Sequence, residues 1–136
     1  MADLAFRSAA ELARLIRCKE VGCVELLDVY LERVDRFNPE LNAIVVRDVE
    51  AARERAKQAD AAASKGDWWG PLHGVPMTIK ESYDVVGMPT TWGVPAHKDN
   101  FPSANALSVD RLLDAGVVLF GKTNVPVHLA DWQSFN

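Results

Sequence analysis

Between Gly70 and Glu81 the chain reads GPLHGVPMTIKE. Val75, Met77 and Ile79 alternate with Pro76, Thr78 and Lys80, a period of two that an extended strand turns into one apolar face. Pro76 has no N–H to give to a ladder, so it stands at the start or edge of that strand. Lys80 then falls at the C-terminal end, on the face opposite the apolar stripe. Ligand sites in open α/β sheets gather at such ends. A short strand with one greasy face has to find helices and neighbouring strands, and this need constrains the fold more than any other feature of the chain.

The rest of the sequence supplies candidates for those layers. Residues 1–65 hold 12 acids and 11 bases, and residues 66–136 hold 7 acids and 4 bases together with most of the Gly, Pro and Trp. The first part reads as solvated helices, the second as turns, buried strands and site-forming loops. Ser8 and Glu11 form a capping box, and Leu12, Leu15 and Ile16 follow as a helical stripe over 9–19. Gly22 separates a second helix with Val24, Leu27, Leu31 and Val34 on one face, which Asn38-Pro39 is expected to stop. Residues 43–46 are a short apolar run of strand type. Asp48 caps a third helix whose inner face is Val49, Ala52, Ala56, Ala59 and Ala63, and Gly66 ends it. A helix over 105–115 turns Ala106, Val109, Leu112 and Leu113 inward, with Gly116 at its C′ position. Residues 117–120 form a buried strand and 121–124 the turn after it. Helix alternating with apolar strand argues α/β, with few strands and a core that looks incomplete.

Composition closes off other classes. The formal charge is -4, and a nucleic-acid module advertises a basic face. No apolar run approaches the roughly 18 residues of a membrane span. The opening residues lack the apolar centre of an export signal, and two cysteines make no disulfide framework, so the expected location is cytoplasmic.

Several motifs need weighing. Residues 116–123, GVVLFGKT, satisfy the phosphate-loop pattern, but the four central residues are a buried strand and the pattern follows a helix instead of opening one. Lys122 is better read as a loop lysine tying down carbonyls. His73, His97 and His128 lack short metal-ligand spacing among themselves or with cysteine, so no metal is assigned, and turn or loop positions account for them. Cys18 and Cys23 lack redox-pair spacing and are expected buried or at a helix N-terminal cap. The tryptophans at 68, 69, 92 and 132 read as core edges or as a wall of a substrate pocket. Lys80 has two open readings, a surface lysine or a desolvated base. In the second, burial favours the neutral amine, which can take a proton from a hydroxyl nucleophile. Ser82 lies two residues on and shares that strand face, yet it lacks an oxyanion hole built from glycine N–H groups.

Residues 70–93, GPLHGVPMTIKESYDVVGMPTTWG, resemble the first conserved block of the amidase signature family, and residues 112–124, LLDAGVVLFGKTN, resemble its next block. SAAELARLIR and ELLDVYLERVDRFNPELNAIV are similar to the segment before them. The resemblance implies the amidase-signature fold, an α/β arrangement of helices around a mixed β-sheet. Residues 1–136 would be the N-terminal segment of one larger domain, helical over 1–65 and carrying the lysine over 66–136. It further implies hydrolysis of a carboxylic amide by a Ser, cis-Ser, Lys triad without cofactor. The catalytic lysine falls on Lys80, the general base acting through the bridging serine. Both serines and the oxyanion loop belong to a GGSSGG-type block. None occurs up to Asn136, and DWQSFN resembles what stands shortly upstream of one. Glu81 replaces the usual Asp, Val94 a frequent Ser, and Asn105 an acid.

The partners implied are a small-molecule amide and the remainder of the domain, with a homodimer left open and neither nucleic acid nor membrane expected. A second reading keeps the fold but makes the chain part of the glutaminase component of a tRNA-dependent amidotransferase. A third is a short, non-catalytic binding or assembly module. From this reading Lys80 should lie on a central or near-central strand facing a cavity, either another chain should complete the domain or an edge and face near Leu119 and Phe120 should be exposed, and residues 1–136 alone should not hydrolyse amides.

Overall fold

The structure is a computed structural model and describes residues 4–132. Four helices and three strands follow in the order α1 (Ala9–Arg17), α2 (Cys23–Leu41), β1 (Ile44–Arg47), α3 (Val49–Ser64), β2 (Pro76–Lys80), α4 (Leu107–Asp114) and β3 (Val118–Thr123). Ser8 and Glu11 cap α1 reciprocally, as the spacing predicts. Asp48 caps α3 through the Ala51 N–H. Gly22 has no side chain to cap α2. Asp60 of α3 does so from across the interface, accepting the N–H groups of Cys23 (2.7 Å) and Val24 (3.1 Å). No helix among the described residues is long and apolar enough to cross a membrane.

Helix α2 passes through Asn38-Pro39 and ends at Leu41, with Asn42 in the left-handed conformation. Pro39 lies in the last turn and its surroundings are exposed, so the carbonyl it leaves unpaired is free to meet water. The stop is set instead by Asn38, whose side chain bonds both the N–H and the C=O of Ile44 and turns the chain into β1.

The sheet is mixed, in the order β1-β3-β2, with β1 antiparallel and β2 parallel to β3. Helices α1, α2 and α3 cover one face through Leu12, Ile16, Leu26, Leu27, Leu31 and the alanines of α3, packed on Val118 and Phe120. Helix α4 covers the other through Val109, against Ile79, Val85 and Met88. Two expectations are corrected here. β3 runs on to Thr123, so Gly121 and Lys122 are in the strand and not in a turn after it. β3 is also the middle strand, because β1 takes its second side. Phe120 is therefore buried and Leu119 half-buried, and the edge on the other side is β2.

The ladder has one irregularity with large effect. Met77 faces Leu119 but Thr78 faces Gly121, so Phe120 is an extra residue in β3. One inserted residue reverses the inward and outward phase of everything after it. Lys122, which strict alternation would place under α2, faces the α4 side opposite Ile79. Gly121 sits at the crossing of the strands, where a Cβ would fall on the Val46 carbonyl oxygen.

Arg55 joins the layers. Its guanidinium donates to the carbonyls of Val117 (2.7 Å) and Leu113 (2.8 Å) and lies over the Trp69 ring. His73 is buried between the edges of Trp68 and Trp69. It accepts the Trp69 N–H at Nδ1, so Nε2 carries the proton and donates to the Ala59 carbonyl (3.0 Å).

Gly74 tests the close approach of β2 to α2. It has φ +75°, and a Cβ there would fall on Cys23 Sγ. Gly66 has a similar φ of +77° with nothing within 4 Å. Gly66→Ala should cost about 1 kcal/mol for the left-handed backbone, and Gly74→Ala about 2–5 kcal/mol, since overpacking adds to it; urea unfolding of the two variants checks the difference. Cys23 is fully buried, while Cys18 is exposed at the end of α1 rather than buried. Burial, with Asp60 beside it, pushes the Cys23 thiol up to about 12. The unfolded thiol ionises near its ordinary value of about 9 while the folded one keeps its proton. The native state then binds more protons, and its stability should fall as pH climbs between those values. Iodoacetamide at pH 8 should label Cys18 and spare Cys23 until urea is added, as read by peptide mapping.

Candidate active site

Strand β2 delivers Lys80 to its C-terminal end, on the face opposite Ile79. The side chain is exposed, and among the described residues nothing bonds its ammonium. The expectation of a central or near-central strand facing a cavity is corrected: β3 is the middle strand, β2 is the edge strand beside it, and no cavity encloses Lys80 among the described residues. Ser82 is half-buried in the turn that leaves β2, closed by the Tyr83 N–H on the Lys80 carbonyl (3.0 Å), and so is outside the strand.

The next residue is buried. Glu81 is 1% exposed and its carboxylate accepts the N–H groups of Thr91 and Trp92, the latter at 2.9 Å. Lys122, 0% exposed, reaches the same loop from β3. Its ammonium donates to the Pro89 carbonyl (2.6 Å) and to Thr90 Oγ1 (2.9 Å). Burial pushes the Lys122 pKa below the ordinary lysine range, and the negative charges of Glu81 and Asp84 oppose that shift. Asn100 ties the loop from outside, exchanging two bonds with the Thr90 backbone. A buried charge is costly unless fully bonded, so these two groups fix residues 89–92 against the end of β2. Lys122 is thus a carbonyl-tying lysine, as expected, but from inside a strand.

The three histidines do not converge. His73 is buried far back, while His97 and His128 are in short exposed turns. No group of three His, Cys, Asp or Glu residues that could hold a metal occurs among the described residues. Trp132 is 93% exposed, and the end of the DWQSFN stretch, residues 133–136, lies outside the described residues.

Comparison with known proteins gives this geometry a family. The amidase profile matches residues 25–133. The chain belongs to the amidase family. It is 40% identical over 124 residues to an acylamidase of Rhodococcus erythropolis, covering 91% of this chain and 26% of that protein. It is 42% identical over 119 residues to an indoleacetamide hydrolase of Bradyrhizobium diazoefficiens, covering 88% and 23%. A glutamyl-tRNA(Gln) amidotransferase component of Acidothermus cellulolyticus is 37% identical over 125 residues, covering 92% and 25%. Among solved structures, the native peptide amidase of Stenotrophomonas maltophilia superposes with a TM-score of 0.83 at 32% identity, covering 90% of this chain and 26% of that one. The chain spans about a quarter of the length of the curated relatives it matches.

The two amidase blocks recognised in the sequence, 70–93 and 112–124, are neighbours in space, because β2 and β3 pair directly. The burial of Glu81 and its hold on residues 91 and 92 do not follow from its standing in place of an Asp. An acid directly after a strand, followed by a loop rich in Gly, Pro and Thr with many N–H groups to satisfy, is the clue that was there. Lys122→Met should destabilise the protein by about 3–5 kcal/mol, since it leaves a buried carboxylate without its compensating charge. Urea unfolding reads the loss, and Lys122→Arg should not restore it, because the site is closed.

Proposed function

We propose that residues 1–136 are the first part of a single amidase domain that hydrolyses a small carboxylic amide through a serine acyl-enzyme. In this reading Lys80 is the general base. Its amine nitrogen takes a proton from a bridging serine, which takes one from the attacking serine. The attacking oxygen adds to the amide carbonyl, glycine-loop N–H groups hold the oxyanion, and the amine leaves with the relayed proton. Water then releases the acid. The observation that carries the reading is the position of Lys80. It ends the strand of the GVPMTIK block, inside the matched stretch, with its ammonium open to whatever packs next to β2.

The serines and oxyanion loop would come from a GGSSGG-type block, which residues 1–136 do not contain. This chain alone should therefore not turn over amides, because a base accelerates nothing without a nucleophile held within about 3–3.5 Å of the carbonyl. In the full-length protein, Lys80→Ala should lower kcat about 10²–10⁴-fold with an unchanged urea midpoint. A loss below about tenfold would sink the assignment. The amidotransferase relative at 37% identity supports a second reading, glutamine hydrolysis that supplies ammonia to partner subunits. Preference of the full-length protein for glutamine over simple aliphatic and aryl amides would favour it.

A further inference from the structure

Lys80 has a defined neighbour across the ladder. It stands directly opposite Thr123 of β3, and Thr123 in turn stands opposite Ile44 of β1. Opposed residues project to one face of a sheet, at a strand spacing of about 4.8 Å. Ile44 packs against the cluster formed by α1, α2 and α3, so Ile44, Thr123 and Lys80 form a row on that face, at the C-terminal ends of β2 and β3. The row depends on the extra residue in β3. Counted from Pro76 opposite Val118 without that insertion, Lys80 would stand opposite Lys122, and two ammonium groups would share the face. With Phe120 inserted, Lys122 turns to the α4 side and a hydroxyl takes its place beside Lys80. Bulges next to active sites re-aim side chains in this way.

Thr123 is half-buried, and among the described residues nothing bonds its hydroxyl. Ile44, on its other side, has no polar atom in its side chain. Thr78, the other hydroxyl on this face of β2, is two residues back from Lys80, about 6.6 Å along the strand, and lines an apolar cavity under the end of α2. We propose that Thr123 positions Lys80, its Oγ1 accepting one N–H of the lysine amine so that the nitrogen lone pair is turned to the bridging serine. This rests on the proposed role of Lys80 as the base. A lysine head on its flexible four-carbon stem samples many directions, and a proton passes only where nitrogen and oxygen lie within hydrogen-bond reach. Thr123 acts through Lys80 and does not touch the substrate, so its effect belongs in kcat and not in KM.

The test uses the full-length protein and whichever of acetamide, phenylacetamide and glutamine it turns over fastest, with kcat taken per folded enzyme as read by circular dichroism. Thr123→Val, which keeps the branched shape and removes the hydroxyl, should lower kcat about tenfold with KM unchanged. Thr123→Ser should keep most of the wild-type kcat. In the Lys80→Ala background Thr123→Val should cause no further loss, because the hydroxyl works only through that amine. If Thr123→Val does not fold, Thr123→Ala reads the same quantities. A kcat within about twofold of wild type once the hydroxyl is gone, a serine variant as slow as the valine one, a loss carried by KM, or losses that multiply in the double variant would overturn the inference. Lys80→Ala separates the two claims: if it spares turnover the amidase mechanism fails, whereas if it lowers turnover strongly while Thr123→Val keeps kcat, only the role of Thr123 fails.

Discussion

A single ammonium with no access to water organises the lower half of this structure. Lys122 must find acceptors inside the protein, since an unpaired charge there costs several kcal/mol. It finds them in Pro89 and Thr90 only because Phe120 adds a residue to β3 and turns Lys122 toward the α4 side. Glu81 is drawn into the same region by the N–H groups of Thr91 and Trp92. The bulge, the two opposite charges and the loop thus form one arrangement, and the end of β2 takes its place from it.

The upper half is organised by proximity instead. Helix α3 shows the core a run of alanines, and α2 begins against the Gly74 backbone. Close approach brings the Asp60 carboxylate within reach of the bare start of α2 and the Arg55 guanidinium within reach of the carbonyls where α4 meets β3. Small residues make the contact, and long polar ones lock it.

Elements that depend on local pattern were legible in the sequence. The capping box at Ser8, the alanine face of α3 and the Gly116 stop all appear where spacing put them; β2 forms where the alternation put it, but its apolar stripe is split, Val75 packing with α1, α2 and α3 and Ile79 on the α4 side. Features that depend on distant partners were not. The end of α2 is decided by Asn38 bonding Ile44 and not by Pro39. Which strand is central depends on β1 returning to β3, and no periodicity records that pairing. The candidate site divides the same way. Lys80 is visible from its place in a strand, while the work of Glu81 depends on a loop ten residues further on.

The position of β2 at the margin of the sheet bears on solubility. An unpaired strand edge is a template for other chains, and proteins blunt such edges with proline and with lysine. Pro76 opens β2 and Lys80 closes it. The residues that begin and end this strand are therefore also its protection against intermolecular pairing, for as long as no further strand lies beside it. The side chain proposed to take up a proton as an amine serves, in its charged form, as a gatekeeper against aggregation.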